Sequence, residues 1–201
     1  MKNLLLFLVF ACTFSFSCLG NPVPFSPIVR NYSVLDYNAG NENWAVAQDE
    51  RGVMYFGNNS GLLRYDGSRW KLFPLPTSGI VRAVYVASDR RIYVGSFEEF
   101  GYFEQNDLNL LEYHSLKEQV KGFDFHNDEI WTIVEQGGNI IFQSFGSYFI
   151  YDGKGTKGVR CPELPLNLFR IGDTLYSQLI NGGVCTFAGD KFIPLISRQE
   201  L

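Results

Sequence analysis

The feature of this sequence that most restricts its fold is a repeat of about 40 residues, in which each copy reads as four short strands. In the first copy the strand-like runs are W-A-V-A-Q from Trp44, V-M-Y-F-G from Val53, G-L-L-R-Y from Gly61 and the run from Arg69 to Phe73. Gly and Asp residues separate the runs, which is typical of antiparallel hairpins. Each copy therefore predicts one four-stranded sheet.

The later copies keep the register of the first. R-I-Y-V-G at 91–95 corresponds to V-M-Y-F-G, S-Y-F-I-Y-D-G at 147–153 to G-L-L-R-Y-D-G at 61–67, and G-V-C-T-F-A-G at 183–189 to the same segment. The copies predict blades at approximately 44–76, 81–116, 122–161 and 166–196. The predicted structural turn residues are Gly57, Gly61, Asp66, Gly67, Asp152 and Gly153. Asp-Gly favours a primed hairpin turn, because Gly adopts positive φ without steric cost.

Repeat length and strand number together are typical of a β-propeller blade. A four-stranded sheet with two apolar faces cannot bury both alone, whereas stacked blades cover each other. The alternative is a β-sandwich, whose hairpins also recur but have no reason to repeat the Y-D-G register at blade length. We therefore predict an all-β protein with about four visible four-stranded blades, part of a larger propeller. The best helix candidate is Ser115–Val120, where Ser115 and Glu118 have capping-box spacing.

The first twenty residues predict a signal peptide. Lys2 precedes an apolar run from Leu4 to Phe16, and Cys18-Leu19-Gly20 offers a cleavage pattern. The run is shorter than the roughly 20 apolar residues that span a membrane, and no later run could span one. We expect an exported, periplasmic protein, with a lipoprotein anchored through Cys18 as the alternative. Residues 21–43 form a lead-in segment that could supply an outer strand.

Charge and composition exclude two classes of protein. Of 17 basic and 21 acidic residues, only Lys2 lies in the signal, so the remaining chain carries 16 against 21, a net charge of −5. The basic residues are scattered singly, which excludes nucleic-acid binding through clustered positive charge. The 46% hydrophobic and 16% aromatic content excludes disorder.

Motifs for catalysis or metal binding are missing from the sequence. The two histidines, His114 and His126, have no partner at metal-ligand spacing. There is no G-x-S-x-G elbow and no phosphate-binding loop. We expect no enzymatic activity, no metal and no cofactor. Cys161 and Cys185 remain after export, and either a disulfide or two buried thiols fits their positions.

One loop is a candidate ligand site. Gly57 and Gly61 are four positions apart in the first copy, but Gly95 and Gly101 are six positions apart in the second. The extra length lies around Phe97, Glu98, Glu99 and Phe100. Aromatic rings stack on the C–H faces of sugars, and carboxylates accept hydroxyl hydrogen bonds. These four residues are therefore the predicted ligand-binding residues, with an ordinary longer hairpin as the alternative.

The first copy resembles a two-component regulator propeller repeat. The residues that carry the resemblance are Trp44, Gln48-Asp49, Gly52, Tyr55-Phe56-Gly57, Gly61-Leu62, Tyr65-Asp66-Gly67 and Trp70. The other copies depart from the pattern at Arg90, Gln143 and Ala188, so the similarity is strongest in the first blade.

The resemblance implies the ligand-sensing segment of a bacterial periplasmic regulator, one of a group tied to polysaccharide uptake. It implies an oligosaccharide ligand and a self-associating or dimeric context. In that family a sandwich domain, a membrane helix and an output domain follow the propeller, and we expect none of them before Leu201. The alternatives are an exported propeller-type glycan lyase or hydrolase, and a non-functional remnant.

Overall fold

The computed structural model describes residues 27–77, 79–108, 110–161, 163–188 and 191–196. The predicted signal peptide, including Cys18, therefore lies outside the described residues. The chain divides into two compact units, residues 1–31 and 32–201. In the first unit the described residues 27–31 form neither helix nor strand, and every element named below belongs to the second. No helix in the described part of the chain is long and apolar enough to cross a membrane.

The described part of the chain contains sixteen strands in four antiparallel sheets, each with its four strands in chain order. The first sheet holds β1 (Asn43–Gln48), β2 (Met54–Asn58), β3 (Gly61–Tyr65) and β4 (Trp70–Phe73). The second holds β5 (Ala83–Val86), β6 (Ile92–Ser96), β7 (Glu99–Gln105) and β8 (Leu111–Ser115). The third holds β9 (Thr132–Gln136), β10 (Asn139–Gln143), β11 (Ser147–Tyr151) and β12 (Thr156–Arg160). The fourth holds β13 (Pro165–Ile171), β14 (Thr174–Leu179), β15 (Val184–Ala188) and β16 (Lys191–Ile196). We call these sheets blades 1 to 4, and they confirm the predicted all-β fold class.

Among the described residues two short segments are helical, α1 (Val34–Tyr37) and a 3-10 turn at Lys117–Gln119. The outer strand suggested for the lead-in does not form in its described part, because a carboxylate starts a helical turn there. The backbone N–H of Ser33 donates to Asp36 Oδ2 at 2.6 Å. The helix predicted over 115–120 is shortened to the 3-10 turn.

The hairpins at the Asp-Gly pairs are organised by the aspartate as well as by the glycine. The β3–β4 connection spans four residues, Asp66–Arg69, rather than the two of a primed turn. Asp66 Oδ1 accepts hydrogen bonds from the backbone N–H groups two and three residues on, at 3.0 and 2.9 Å. Gly67 has a φ of +92°. Asp152-Gly153 repeats this arrangement with a φ of +86° at Gly153.

The blades pack through three apolar clusters, one at each joint. The cluster between blades 1 and 2 includes Tyr55, Leu62, Val81, Ile92, Val94 and Phe103. The cluster between blades 2 and 3 includes Tyr93, Phe100, Ile130, Ile133, Phe142 and Phe149. The cluster between blades 3 and 4 includes Ile141, Tyr148, Leu168, Leu175 and Phe187. The strands β1, β5, β9 and β13 contact one another in this order, so they are the inner strands of the stack.

Gly57 and Gly61, predicted as turn residues, are strand residues that allow close approach. Gly57 lies within β2 rather than in a turn, and a Cβ there would be 2.6 Å from the carbonyl oxygen of Val81. Gly61 begins β3 with a φ of +131°, and its Cβ would be 2.5 Å from the carbonyl oxygen of Phe73. Side chains at these two positions would separate blade 1 from blade 2 and β3 from β4.

Candidate functional site

Each blade has two edges, and the connections between blades lie at only one of them. We call this the upper edge; it also carries the turns between the second and third strands. Backbone hydrogen bonds tie the connections to these turns, for example from Val81 to Asn58 at 3.1 Å and from Ile130 to Ser96 at 3.0 Å. The inner strands therefore open at the upper edge into a mouth bordered by turns and connections.

The predicted ligand residues Phe97 and Glu98 lie at this edge, but in a tight turn. Strand β6 runs to Ser96 and β7 begins at Glu99, so only two residues separate the strands. The predicted extra loop length is absent, because Glu99 pairs with Ser96 as Gly61 pairs with Asn58, so Glu99 rather than Gly101 occupies the position of Gly61. Phe97 is about half exposed, and its backbone forms a bridge to Glu129 of the following connection.

The other two predicted ligand residues are structural. Glu99 is buried, and its Oε1 accepts hydrogen bonds from the hydroxyls of Tyr113 at 2.8 Å and Ser115 at 2.7 Å. Burial, together with the Glu99 carboxylate, raises the pKa of Tyr113. Phe100 is 1% exposed and stacks on Phe149 at 4.7 Å between ring centroids. Neither side chain can therefore serve as a stacking surface or open carboxylate for a ligand.

The structure instead brings together Trp44, Arg82 and Trp131, which lie at the starts of the inner strands of blades 1, 2 and 3. The Arg82 guanidinium lies 3.7 Å from the ring centroid of Trp44 and 5.2 Å from that of Trp131. The two indoles lie 6.3 Å apart edge to face, and Phe145 follows at 5.7 Å from Trp131. We call Trp44, Arg82, Trp131 and Phe145 the mouth cluster. Trp44 and Phe145 are about half exposed, so a ligand could reach two aromatic rings.

The carboxylate of Glu129 lies next to the mouth cluster. Arg82 Nε donates to Glu129 Oε1 at 2.6 Å, which links the entries of blades 2 and 3. In the described part of the chain, Arg82 Nη1 and Trp131 Nε1 are buried and have no hydrogen-bond partner. Buried donors normally find an acceptor, so these two unpaired N–H groups are an unusual feature of the mouth cluster.

Polar side chains hold Trp44 in place. Its indole Nε1 donates to Asn59 Oδ1 at 2.7 Å, and Asn59 Nδ2 donates to a Glu42 carboxylate oxygen at 3.0 Å. The buried Asn58 amide donates to the carbonyl oxygens of Gly40 at 2.7 Å and Glu42 at 3.1 Å. These hydrogen bonds fix the orientation of the Trp44 ring.

A second ionic group anchors the connection before blade 3. Asp128 is buried and accepts hydrogen bonds from Ser144 Oγ at 2.6 Å and Arg160 Nη1 at 3.2 Å. Burial opposes ionisation of Asp128, but hydrogen bonds from Ser144, the His126 backbone and Ser147, followed by the Arg160 charge, hold its pKa below the ordinary value. This group fixes the connection that carries Glu129.

A separate cleft of about 670 Å³ opens at the opposite edge between blades 1 and 2. Several of its charged residues are paired with one another: Arg51 with Asp49 at 3.0 Å, and Arg91 with Glu104 at 2.9 Å. The Tyr55 hydroxyl also donates to Asp49 at 3.3 Å. Glu50 and Arg90 line the same cleft.

The remaining candidate groups do not form a site. Cys161 and Cys185 are free thiols, so the disulfide alternative is not formed; Cys185 is buried and Cys161 is partly buried. Among the described residues no group of His, Cys, Asp and Glu could hold a metal ion. His114 lies 3.2 Å from Glu104, and His126 3.2 Å from Asp124, each as a local pair.

Sequence reasoning missed Arg82 and Glu129, although a signal for the cluster existed. Trp44 and Trp131 occupy corresponding positions in the first and third repeats, and Arg82 occupies that position in the second. Aligned positions at the entry of each inner strand meet at one mouth. Arg82 and Glu129, by contrast, are 47 residues apart, and no local pattern indicates their contact.

Comparisons with solved structures show the fold. The chain resembles virginiamycin B lyase from Staphylococcus aureus, with a TM-score of 0.62 and 10% identity over 78% of this chain and 56% of the lyase. A streptogramin B lyase gives a TM-score of 0.61 and 16% identity over 84% of this chain and 57% of that protein. The extracellular domain of a hybrid two-component system from B. thetaiotaomicron gives 0.58 and 17% identity over 78% of this chain and 21% of that domain.

No protein-family model matches the sequence, and no curated protein matches it. The chain spans little more than half of the lyases and about a fifth of the sensor domain. At these identities the likeness carries the architecture alone. Together with the four sheets, it establishes that the chain folds as a stack of β-propeller blades.

Proposed function

We propose that this chain is the ligand-binding propeller segment of an exported bacterial sensor, and that it binds an oligosaccharide at the mouth cluster. The observation that carries the proposal is the set of half-exposed rings around the Arg82–Glu129 pair. Aromatic rings stack on the apolar faces of sugars, while guanidinium and carboxylate groups bind hydroxyls. The extracellular sensor domains among the structural neighbours share this blade architecture.

The site spans three blades, and this suits sensing. Trp44 belongs to blade 1, Arg82 enters blade 2, and Trp131 and Glu129 precede blade 3. A sugar bound to all three would favour one relative position of the blades over others, which is how a ligand shifts a conformational equilibrium. A site within one blade would have no such effect.

We also propose that the bound saccharide is not cleaved. The carboxylate beside the rings, Glu129, is held by Arg82 Nε at 2.6 Å. A carboxylate in such an ion pair suits recognition better than proton transfer to a leaving group. Glycoside cleavage commonly requires a second carboxyl group facing the first across the scissile bond.

The proposal is tested by calorimetric titration of the exported chain with oligosaccharides from plant and host polysaccharides. Trp44→Ala should weaken binding about fivefold, since loss of a stacked ring costs on the order of 1 kcal/mol. Leu108→Ala, an exposed change in the β7–β8 connection, should leave it unchanged. Equal affinities for the two variants would refute the site. Product formation lost in Glu129→Gln would establish the lyase or hydrolase alternative instead.

A further inference from the structure

Blade 4 carries an apolar face that no neighbouring blade covers. One face of its sheet packs on blade 3 through residues such as Leu168 and Leu175. On the opposite face Phe169 and Ile193 align across the four strands, with Tyr176 between them. Ile171 is 63% exposed, and Phe169, Ile193 and Leu195 are each between 41% and 49% exposed. Together they leave this face of blade 4 apolar and open to solvent.

Blade 1 carries a second uncovered face, at the other end of the stack. Val46 of its inner strand is 59% exposed and pairs with Phe56 on the same face of the sheet. The part of this face formed by the outer strands is covered, because the ring centroids of Tyr32 and Tyr37 lie 5.1 and 5.5 Å from that of Trp70. Only the inner half of the face is therefore open.

The four blades do not close on themselves. Each of the three joints brings consecutive inner strands together and buries an apolar cluster. Among the described residues no apolar cluster joins β13 to β1. The exposure of Ile171 and Val46, which lie on these two strands, shows that this fourth joint is open.

We propose that two copies of this chain close into one eight-bladed ring, in which blade 4 of each copy packs on blade 1 of the other. The chain itself carries both halves of the missing joint, β13 with Ile171 and β1 with Val46, and the new contact would repeat the inner-strand contacts of the three existing joints. Two-fold symmetry satisfies both ends of both copies and leaves no end to polymerise. Eight blades lie within the range that closed propellers adopt.

The ring holds each copy through two joints. Each copy contributes the blade 4 face to one joint and the blade 1 face to the other. Separation of the two copies therefore requires both joints to open.

The test is light scattering coupled to size exclusion on the exported chain. Wild type should have twice the monomer mass. Ile171→Lys and Val46→Asp should each raise the dissociation constant about tenfold or more, because each places a charge in both joints. Leu108→Asp, an equally polar change at an exposed site outside both faces, should leave the dimer intact. Circular dichroism of each variant reports whether it is folded.

Mixing the two variants separates this arrangement from other dimers. A mixed pair of Ile171→Lys and Val46→Asp contains one native joint and one joint in which lysine faces aspartate. Equimolar mixing should therefore restore the dimer. A monomeric wild type, a dimer insensitive to both variants, no recovery on mixing, or open-ended oligomers would each overturn the proposal.

Discussion

Gly95→Ala tests the blade packing directly, because Gly95 lies where the connection to blade 3 passes. A Cβ at Gly95 would lie 2.4 Å from Ile130 Cγ2 and 2.6 Å from Ile130 Cβ. Ordinary carbon contacts are about 3.5–4.0 Å, so one partner must move by about 1 Å. Ile130 is fully buried, and its backbone N–H is bonded to Ser96 at 3.0 Å, so it cannot move freely.

The expected cost is about 1–3 kcal/mol, the range for overpacked cores. Urea unfolding followed by tryptophan fluorescence gives the free energy by linear extrapolation. Gly155→Ala is the matched control, because its Cβ would meet nothing within 4 Å and its φ is ordinary. That variant should be neutral or slightly stabilised through the unfolded chain. A Gly95→Ala midpoint equal to or above that of Gly155→Ala would refute the close approach of the blades.

Three further outcomes are expected. Gly153→Val should lower stability by about 1–2 kcal/mol or more relative to Gly155→Val in thermal melts, because both sites are open and only Gly153 has positive φ. Backbone hydrogen bonds from Arg69 and Ser68 lower the pKa of Asp66 to about 2, below the roughly 3.9 of an unfolded chain. The stability that the ionised Asp66 contributes above pH 4 should therefore be lost as the pH falls from about 4 to 2. The urea midpoint of Asp66→Asn should depend less steeply on pH in this range. Burial raises the pKa of Cys161 to about 12, so iodoacetamide at pH 8 should label it rapidly only after denaturation, as measured by mass spectrometry.

The strands could be predicted from sequence because their signals are local. In each strand, apolar residues alternate with polar ones or form a continuous run over about five residues, and Gly, Asn or Asp follows the run. The Asp-Gly pairs mark β3–β4 and β11–β12 because a carboxylate and a positive-φ residue organise a turn within a few residues. The fold class follows from the repetition of these signals.

The candidate site was only partly predictable, because its contacts join distant residues. The sequence from Phe97 to Phe100 predicts an exposed loop, because the spacing of Gly95 and Gly101 is two residues longer than that of Gly57 and Gly61. The segment also carries two carboxylates. The structure buries Glu99 instead, because Tyr113 and Ser115 of β8 supply its hydrogen bonds. Local sequence does not show that a carboxylate will find such donors, or that Arg82 will meet Glu129 from another blade.

At the joint between blades 3 and 4, Gln143 stands in place of a glycine of the repeat. It pairs with Thr132 as Gly95 pairs with Ala83 and Gly57 with Ala45, so it occupies the position where two blades have glycine. Its side chain is buried, and Nε2 donates to the carbonyl oxygen of Pro165 in β13 at 3.1 Å. The amide thus fills space between blades 3 and 4 that Val81 and Ile130 fill at the earlier joints.

Restoring the repeat at this position should therefore destabilise the protein. Gln143→Gly would leave a cavity and an unpaired carbonyl at Pro165, at a cost of roughly 2–4 kcal/mol. Gln143→Leu keeps most of the volume and removes Oε1, which is buried without a partner among the described residues. Its cost should be about 1 kcal/mol, since only the Pro165 bond is lost. Urea unfolding of both variants decides the matter: a neutral Gln143→Gly would mean that blade 4 approaches blade 3 as closely as the other blades approach each other.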